Sequence, residues 1–182
     1  MKTNYKLHLA TSKDKLRPVM QSILVTKENI VATDAHIMAV VPTALVFNEA
    51  SIELMPDKGL LIDAQIWKAI YSADSIFIYL EGNGYKIAGY FKNKPSAEFR
   101  AEINGEIGNF PNWHQVIPAE DKREPMPVIG VNAKLLMNLS DSIDASNGLK
   151  LETNGSQKGI IAKPIGLDTG EPYGLIMPIK IN

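Results

Sequence analysis

Three histidines, His8, His36 and His114, are the side chains in this sequence best suited to hold a metal or move a proton, and Asp34 lies two residues before His36. Their spacing does not build a metal centre. There is no His-x-x-x-His and no His-Glu-x-x-His, and the three histidines fall in separate segments. No Gly-x-Ser-x-Gly or P-loop pattern occurs, and Gly82-Asn83-Gly84 reads as a hairpin turn rather than a phosphate cradle. With no cysteine, disulfides and thiolate metal sites are excluded. These residues point to a non-enzymatic protein with no metal and no cofactor. Asp34 and His36 sit within NIVATDAHIMAVVP (29–42), a strand-like run interrupted by the polar knot Thr33-Asp34-Ala35-His36. Alternation puts Asp34 and His36 on one face, as a turn-capping or rim pair.

The elements that must position this knot are mostly strands. Apolar and polar residues alternate in YKLHLAT (5–11), SIFIYLEG (75–82), YKIAGYF (85–91) and AEFRAEI (97–103). Asn83-Gly84 and Asn154-Gly155 mark hairpins, because Asn-Gly supplies the positive φ of a two-residue turn. Two short helices are expected, over 63–73 and 132–143. Each opens on an N-cap, Asp63 or Asn132, and carries an apolar stripe: Ile66, Trp67 and Ile70, then Leu135, Leu136 and Leu139. These two regions are one device written twice. Both LLIDAQIWKAI…IFIYLEGNGYKIAGY and IGVNAKLLMNL…LKLETNGSQKGIIAK read strand, capped helix, then a hairpin turning at Asn-Gly, with a further strand closing each unit. An earlier unit, YKLHLAT, SILVTKE and NIVATDAHIMAVVP, lacks its helix, since SKDKLRPVM is short and broken by Pro18. Helices on one face of antiparallel sheets define an α+β architecture. Residues 105–127, rich in Pro, Gly and charge, read as linking sequence, which gives a unit at 1–108, a connector at 109–127 and a smaller unit at 128–182.

At 182 residues the chain can bury a core without staples, and a net charge of −1 argues against a protein that grips nucleic acid over its whole surface. No stretch approaches the ~20 apolar residues of a membrane span, and the first residues lack a signal-peptide core. A soluble, cytoplasmic protein without a membrane partner is expected.

NIVATDAHIMAVVP, GNFPNWHQVIP and the terminal YGLIMPIKIN resemble, in order, three signature stretches of the bacterial sliding clamp, the beta subunit of DNA polymerase III. The resemblance covers nearly the whole chain but only part of a clamp: the middle domain, with its first helix lost, and the second half of the last domain. It implies the clamp fold and a hydrophobic cleft that receives linear peptides from replication proteins. The matching residues are Met20, Thr33, Ala35, His36, Ile37, Met38, Pro118, Met177, Pro178, Ile179 and Lys180. Three of the seven methionines fall in this set, and methionine repacks readily around different apolar anchors. Ala35 stands where the family has glycine, Ile37 where it has arginine, and Lys180 where it has arginine, so the peptide preference is expected to differ. The resemblance further implies contact with double-stranded DNA through its backbone, with Lys15, Arg17, Lys68 and Lys134 as the candidates, and homo-oligomerisation if a ring is to close. In its stronger form the protein is a DNA polymerase processivity factor. The alternative is a clamp-derived binding module or decoy that does not encircle DNA.

Overall fold

The computed structural model describes residues 4–92, 98–103, 109–118, 129–153, 158–166 and 172–179. Between Ser22 and Pro42 the apolar stretches Ile23–Val25, Ile30–Ala32 and Ile37–Val41 are separated by polar turns, and they form β1 (Ser22–Val25), β2 (Asn29–Thr33) and β3 (Ile37–Pro42) with both faces buried. NIVATDAHIMAVVP is therefore two strands, and the polar knot is the hairpin between them: Thr33 pairs with Met38. After a one-turn helix α1 (Glu49–Glu53) come β4 (Leu60–Asp63), α2 (Ala64–Ile70), β5 (Ser75–Glu81), β6 (Gly84–Tyr90) and β7 (Glu98–Ile103). Beyond the connector lie α3 (Ala133–Ser142), β8 (Leu149–Glu152), β9 (Ile160–Pro164) and β10 (Tyr173–Ile176). This is the expected α+β fold, with three helices among the described residues where two were expected.

Both expected helices start at their caps. Asp63 accepts from the Gln65 N–H at 2.7 Å, and Asn132 accepts from Lys134 and Leu135 at 3.0 and 3.3 Å. The additional helix α1 is capped by Asn48, whose side chain accepts from the Ser51 N–H. Ser51 in turn accepts from the Ile78 N–H on the outer edge of β5, so a side chain caps an edge that has no strand beside it among the described residues. The β5–β6 hairpin forms as expected, but its positive φ (+62°) lies at Gly82, the first turn residue, not at Asn83 or Gly84. The second Asn-Gly, at 154–155, lies outside the described residues.

All strand pairing is antiparallel. A seven-stranded sheet runs β4-β1-β2-β3-β10-β9-β8, and a three-stranded sheet runs β5-β6-β7. The seam of the larger sheet is β3 against β10, with Val40 opposite Tyr173 and Ile37 opposite Ile176, so strands from both sides of the connector share one sheet. At this seam Gly174 is required by close approach: a Cβ there would lie 2.8 Å from the Met38 carbonyl oxygen and would run into Leu139.

One face of the large sheet packs Ile23, Ile30, Ala39 and Val41 against Trp67 and Ile70 of α2 and Leu139 of α3. The other face carries Leu24, Val31, Met38, Val40, Ile161 and Leu175, and the connector lays Trp113 across them. The alternation in 5–11 does not form a strand. Leu7–Leu9 is a 3₁₀ turn closed by Leu9 N–H to Lys6 C=O and Ala10 N–H to Leu7 C=O, each at 2.9 Å. It stands between α2 and α3, tied to the first by the Trp67 indole N–H donating to the Tyr5 carbonyl (2.7 Å) and to the second by Lys6 and Asp141 (3.8 Å). Among the described residues no helix is long and apolar enough to cross a membrane.

Candidate peptide site

The Thr33–Ile37 turn is closed by hydrogen bonds among its own residues. Asp34 Oδ1 accepts from the His36 and Ile37 N–H groups at 2.8 and 2.9 Å, the Thr33 hydroxyl donates to the Ile37 carbonyl at 2.7 Å, and the Ala35 N–H donates to Thr33 Oγ1 at 3.1 Å. Ala35 takes φ +76°, the left-handed region that favours glycine. The Asp34 carboxylate is thus occupied as a turn cap, and His36 projects outward as an exposed side chain. Its carbonyl accepts from the Met177 N–H at 3.0 Å, which carries the β3–β10 pairing one step beyond β10.

Above this turn the sheet is not fully covered. Pro18–Gln21 forms a 3₁₀ turn that brings Met20 to the start of β1, held by Ser12 N–H to Met20 C=O at 2.8 Å. The connector contributes Pro111, Asn112, Trp113 and Val116 from the opposite side. Between them lies a depression of about 180 Å³ floored by Met38 and Leu175 and edged by Met177. That is a little above the ~150 Å³ of a dry apolar cavity that admits a benzene ring, so it can seat one leucine- or phenylalanine-sized side chain. Of the expected cleft residues, Met20, Thr33, Ala35, His36, Ile37, Met38 and Met177 meet here. Pro118, Pro178 and Ile179 do not. Pro118 is half-buried away from the depression, and Ile179 turns aside so that its N–H donates to the Gly130 carbonyl at 2.9 Å. Lys180 lies outside the described residues. The connector was expected at the cleft through Pro118; it lines the depression through Pro111, Asn112, Trp113 and Val116 instead, and these residues and Leu175 were not among those expected, although Phe110, Trp113, Val116 and Ile117 form an apolar cluster unusual for a linker.

The histidines stay apart, and among the described residues no cluster of three His, Asp or Glu side chains could hold a metal. His114 stacks on Trp113 with ring centroids 3.7 Å apart. His8 lies in the 3₁₀ turn beside Tyr71, at 5.2 Å between rings, and its buried Nδ1 has no hydrogen-bond partner among the described residues. Burial, reinforced by the charges of Lys68 and Lys6, holds its pKa below the ordinary histidine value. Burial raises the Tyr173 phenol on β10. Lys15 and Arg17 share one exposed turn, whereas Lys68 and Lys134 stand exposed on different helices. The helical face that carries Lys6 also carries Asp141, so it is mixed rather than basic.

Antiparallel sheets backed by short helices, repeated unit by unit and joined edge to edge at a seam, make a clamp-type fold. It is the fold of the bacterial DNA polymerase III beta sliding clamp. The chain is similar to the beta sliding clamp of Caulobacter crescentus at 16% identity and a TM-score of 0.67, covering 100% of this chain and 64% of that one. It is similar to DNA polymerase III subunit beta of Borrelia burgdorferi at 12% identity and 0.63, covering 98% and 61%, and to the sliding clamp of Pseudomonas aeruginosa at 14% and 0.63, covering 99% and 65%. The chain therefore spans less than two thirds of each of these structures. No family model matches the sequence, and no curated protein matches it.

Proposed function

We propose that this protein is a non-enzymatic, clamp-derived scaffold that binds linear peptides of replication proteins at the β3–β10 seam. The observation that carries this reading is the open apolar depression where the two sides of the connector meet, lined by Met20, Met38 and Met177 together with Thr33 and His36. Seating one apolar anchor there is worth about 1.5–3 kcal/mol. In this reading the cleft set is Met20, Thr33, Ala35, His36, Ile37, Met38 and Met177, and 1–108 and 128–182 are the two units that frame it. A processivity factor is the stronger form, in which several copies assemble in the cytoplasm and Lys15, Arg17, Lys68 and Lys134 touch the phosphates of double-stranded DNA. The mixed charge of the helical face favours the weaker form, a binding module or decoy that does not encircle DNA. A fluorescent peptide with one leucine anchor tests the site. Met177→Ala and His36→Ala are each expected to weaken binding, and binding indifferent to both would remove the depression from the reading. Light scattering separates the two forms, since a monomer at micromolar concentration leaves the cleft but not a ring.

A further inference from the structure

Trp113 lines two separate depressions. A second depression of about 350 Å³ lies on the far side of the same indole, lined by Lys27 and Glu28 of the β1–β2 turn, by Asp57 and by His114. The two lie at opposite ends of the β1–β2 hairpin: Met20 and Thr33 line the first, and the turn residues Thr26–Asn29 line the second. Their charged surroundings differ: at the first the exposed cations outnumber the acid, and at the second Lys27 and Lys58 are matched in number by Glu28 and Asp57. Met20 follows directly on an exposed turn carrying Lys13, Lys15 and Arg17, whose single acid, Asp14, accepts from the Leu16 N–H at 2.9 Å and faces Arg17 at 3.8 Å. At the other end Lys27 is taken up by Asp57 at 2.6 Å, which leaves the exposed Glu28 carboxylate without an ion pair among the described residues.

We propose that the groove is charge-polarised and selects a linear peptide whose apolar anchor has an acidic residue on one side and a basic residue on the other. This rests on the peptide-binding reading above and adds the chemistry of the partner. The acidic residue faces the Lys13–Arg17 turn, and the basic residue faces Glu28 beyond Trp113. The spacing follows from the fold. Arg17 and Met20 are one 3₁₀ turn apart, about 6 Å, which an extended peptide covers in about two residues. The hairpin from Thr33 to Asn29 is about 13 Å long, which takes about four. The partner motif is therefore Glu-x-Leu-x-x-x-Lys.

Fluorescence anisotropy with three labelled peptides tests this: the matched one, one with Glu and Lys exchanged, and one with serine at both positions. At low ionic strength the matched peptide is expected to bind roughly three- to tenfold more tightly than the exchanged one, the scale of two exposed ion pairs gained against two opposed. The preference should fade toward unity at ~1 M salt, where the screening length is about 3 Å. The double variant Lys15→Glu/Glu28→Lys should invert the ranking. Both positions are exposed, and an unchanged urea midpoint verifies that the variant is folded. Equal affinities for matched and exchanged peptides, with the serine peptide still bound, overturn this inference alone. Failure of the serine peptide to bind overturns the peptide site itself. If Lys15→Glu weakens binding to a DNA duplex while the peptide ranking persists, the basic turn serves nucleic acid and the inference is likewise overturned.

Discussion

Replacing Ala35 with glycine tests the turn on which the candidate site rests. Ala35 sits at φ +76° between Asp34, whose carboxylate caps the turn, and His36, whose carbonyl holds Met177. An L-residue in the left-handed region is strained by about 1–2 kcal/mol, and glycine removes that strain. Glycine also widens the unfolded ensemble, which costs about 0.4–1 kcal/mol. The strain term is the larger, so Ala35→Gly is expected to stabilise the fold by about 0.5–1 kcal/mol. For a chain of this size that is a rise in Tm of roughly 1–4 °C. Urea unfolding reads it as a higher midpoint with unchanged slope. Ala35→Val should do the reverse, since a β-branched residue tolerates positive φ least. A lower midpoint for the glycine variant, or equal midpoints for glycine and valine, would refute the left-handed turn. The strain explains why a glycine is expected at this position by resemblance, and it marks the alanine as a site where stability is open to gain.

Gly174→Ala should destabilise the fold by about 1–3 kcal/mol, because its Cβ meets the Met38 carbonyl and Leu139. The measurement is the urea midpoint, together with loss of the proposed peptide binding as β10 shifts from β3. His8 should make stability depend on pH. Its folded pKa lies below the unfolded value of about 6.5, so the unfolded chain takes up the proton first, and stability falls as pH drops through and below that value. Denaturation midpoints across pH 5–8 should show this slope in the wild type and its loss in His8→Gln; the same slope in both would assign it to other groups.

The two helices and the β5–β6 hairpin were legible in the sequence because each is specified locally, by Asp63 or Asn132 as a cap and by the Gly82-Asn83-Gly84 turn, whose positive φ falls on Gly82 and not on the Asn-Gly pair from which the hairpin was read. Residues 5–11 were not, because alternation does not supply a neighbour. With no strand beside it, the segment closes on itself through Lys6 and Leu7 carbonyls and buries Leu7 between two helices. The helix α1 did carry a signal, Asn48 three residues before Ser51, but five residues are too few for an apolar stripe. At the candidate site Met38 was legible as a strand residue and Asp34 as a turn cap, whereas Met20 and Met177, which lie just outside β1 and β10, came only through the resemblance. Pro118, Pro178 and Ile179 were misplaced because their positions depend on where the chain leaves the sheet, and Trp113 was overlooked because prolines on both sides made its segment look like linker.

The β3–β10 seam also sets a timetable. Ile37–Pro42 is made early in synthesis, yet the strand that covers its edge, Tyr173–Ile176, follows only after more than a hundred further residues. At 5–20 residues per second the delay is on the order of ten seconds. Throughout it β3 presents an apolar, unpaired edge of the kind that invites pairing with other chains. The depression beside Trp113 cannot exist until that strand docks. A nascent or interrupted chain therefore lacks the candidate site, and the same event that covers the open edge of β3 completes the depression.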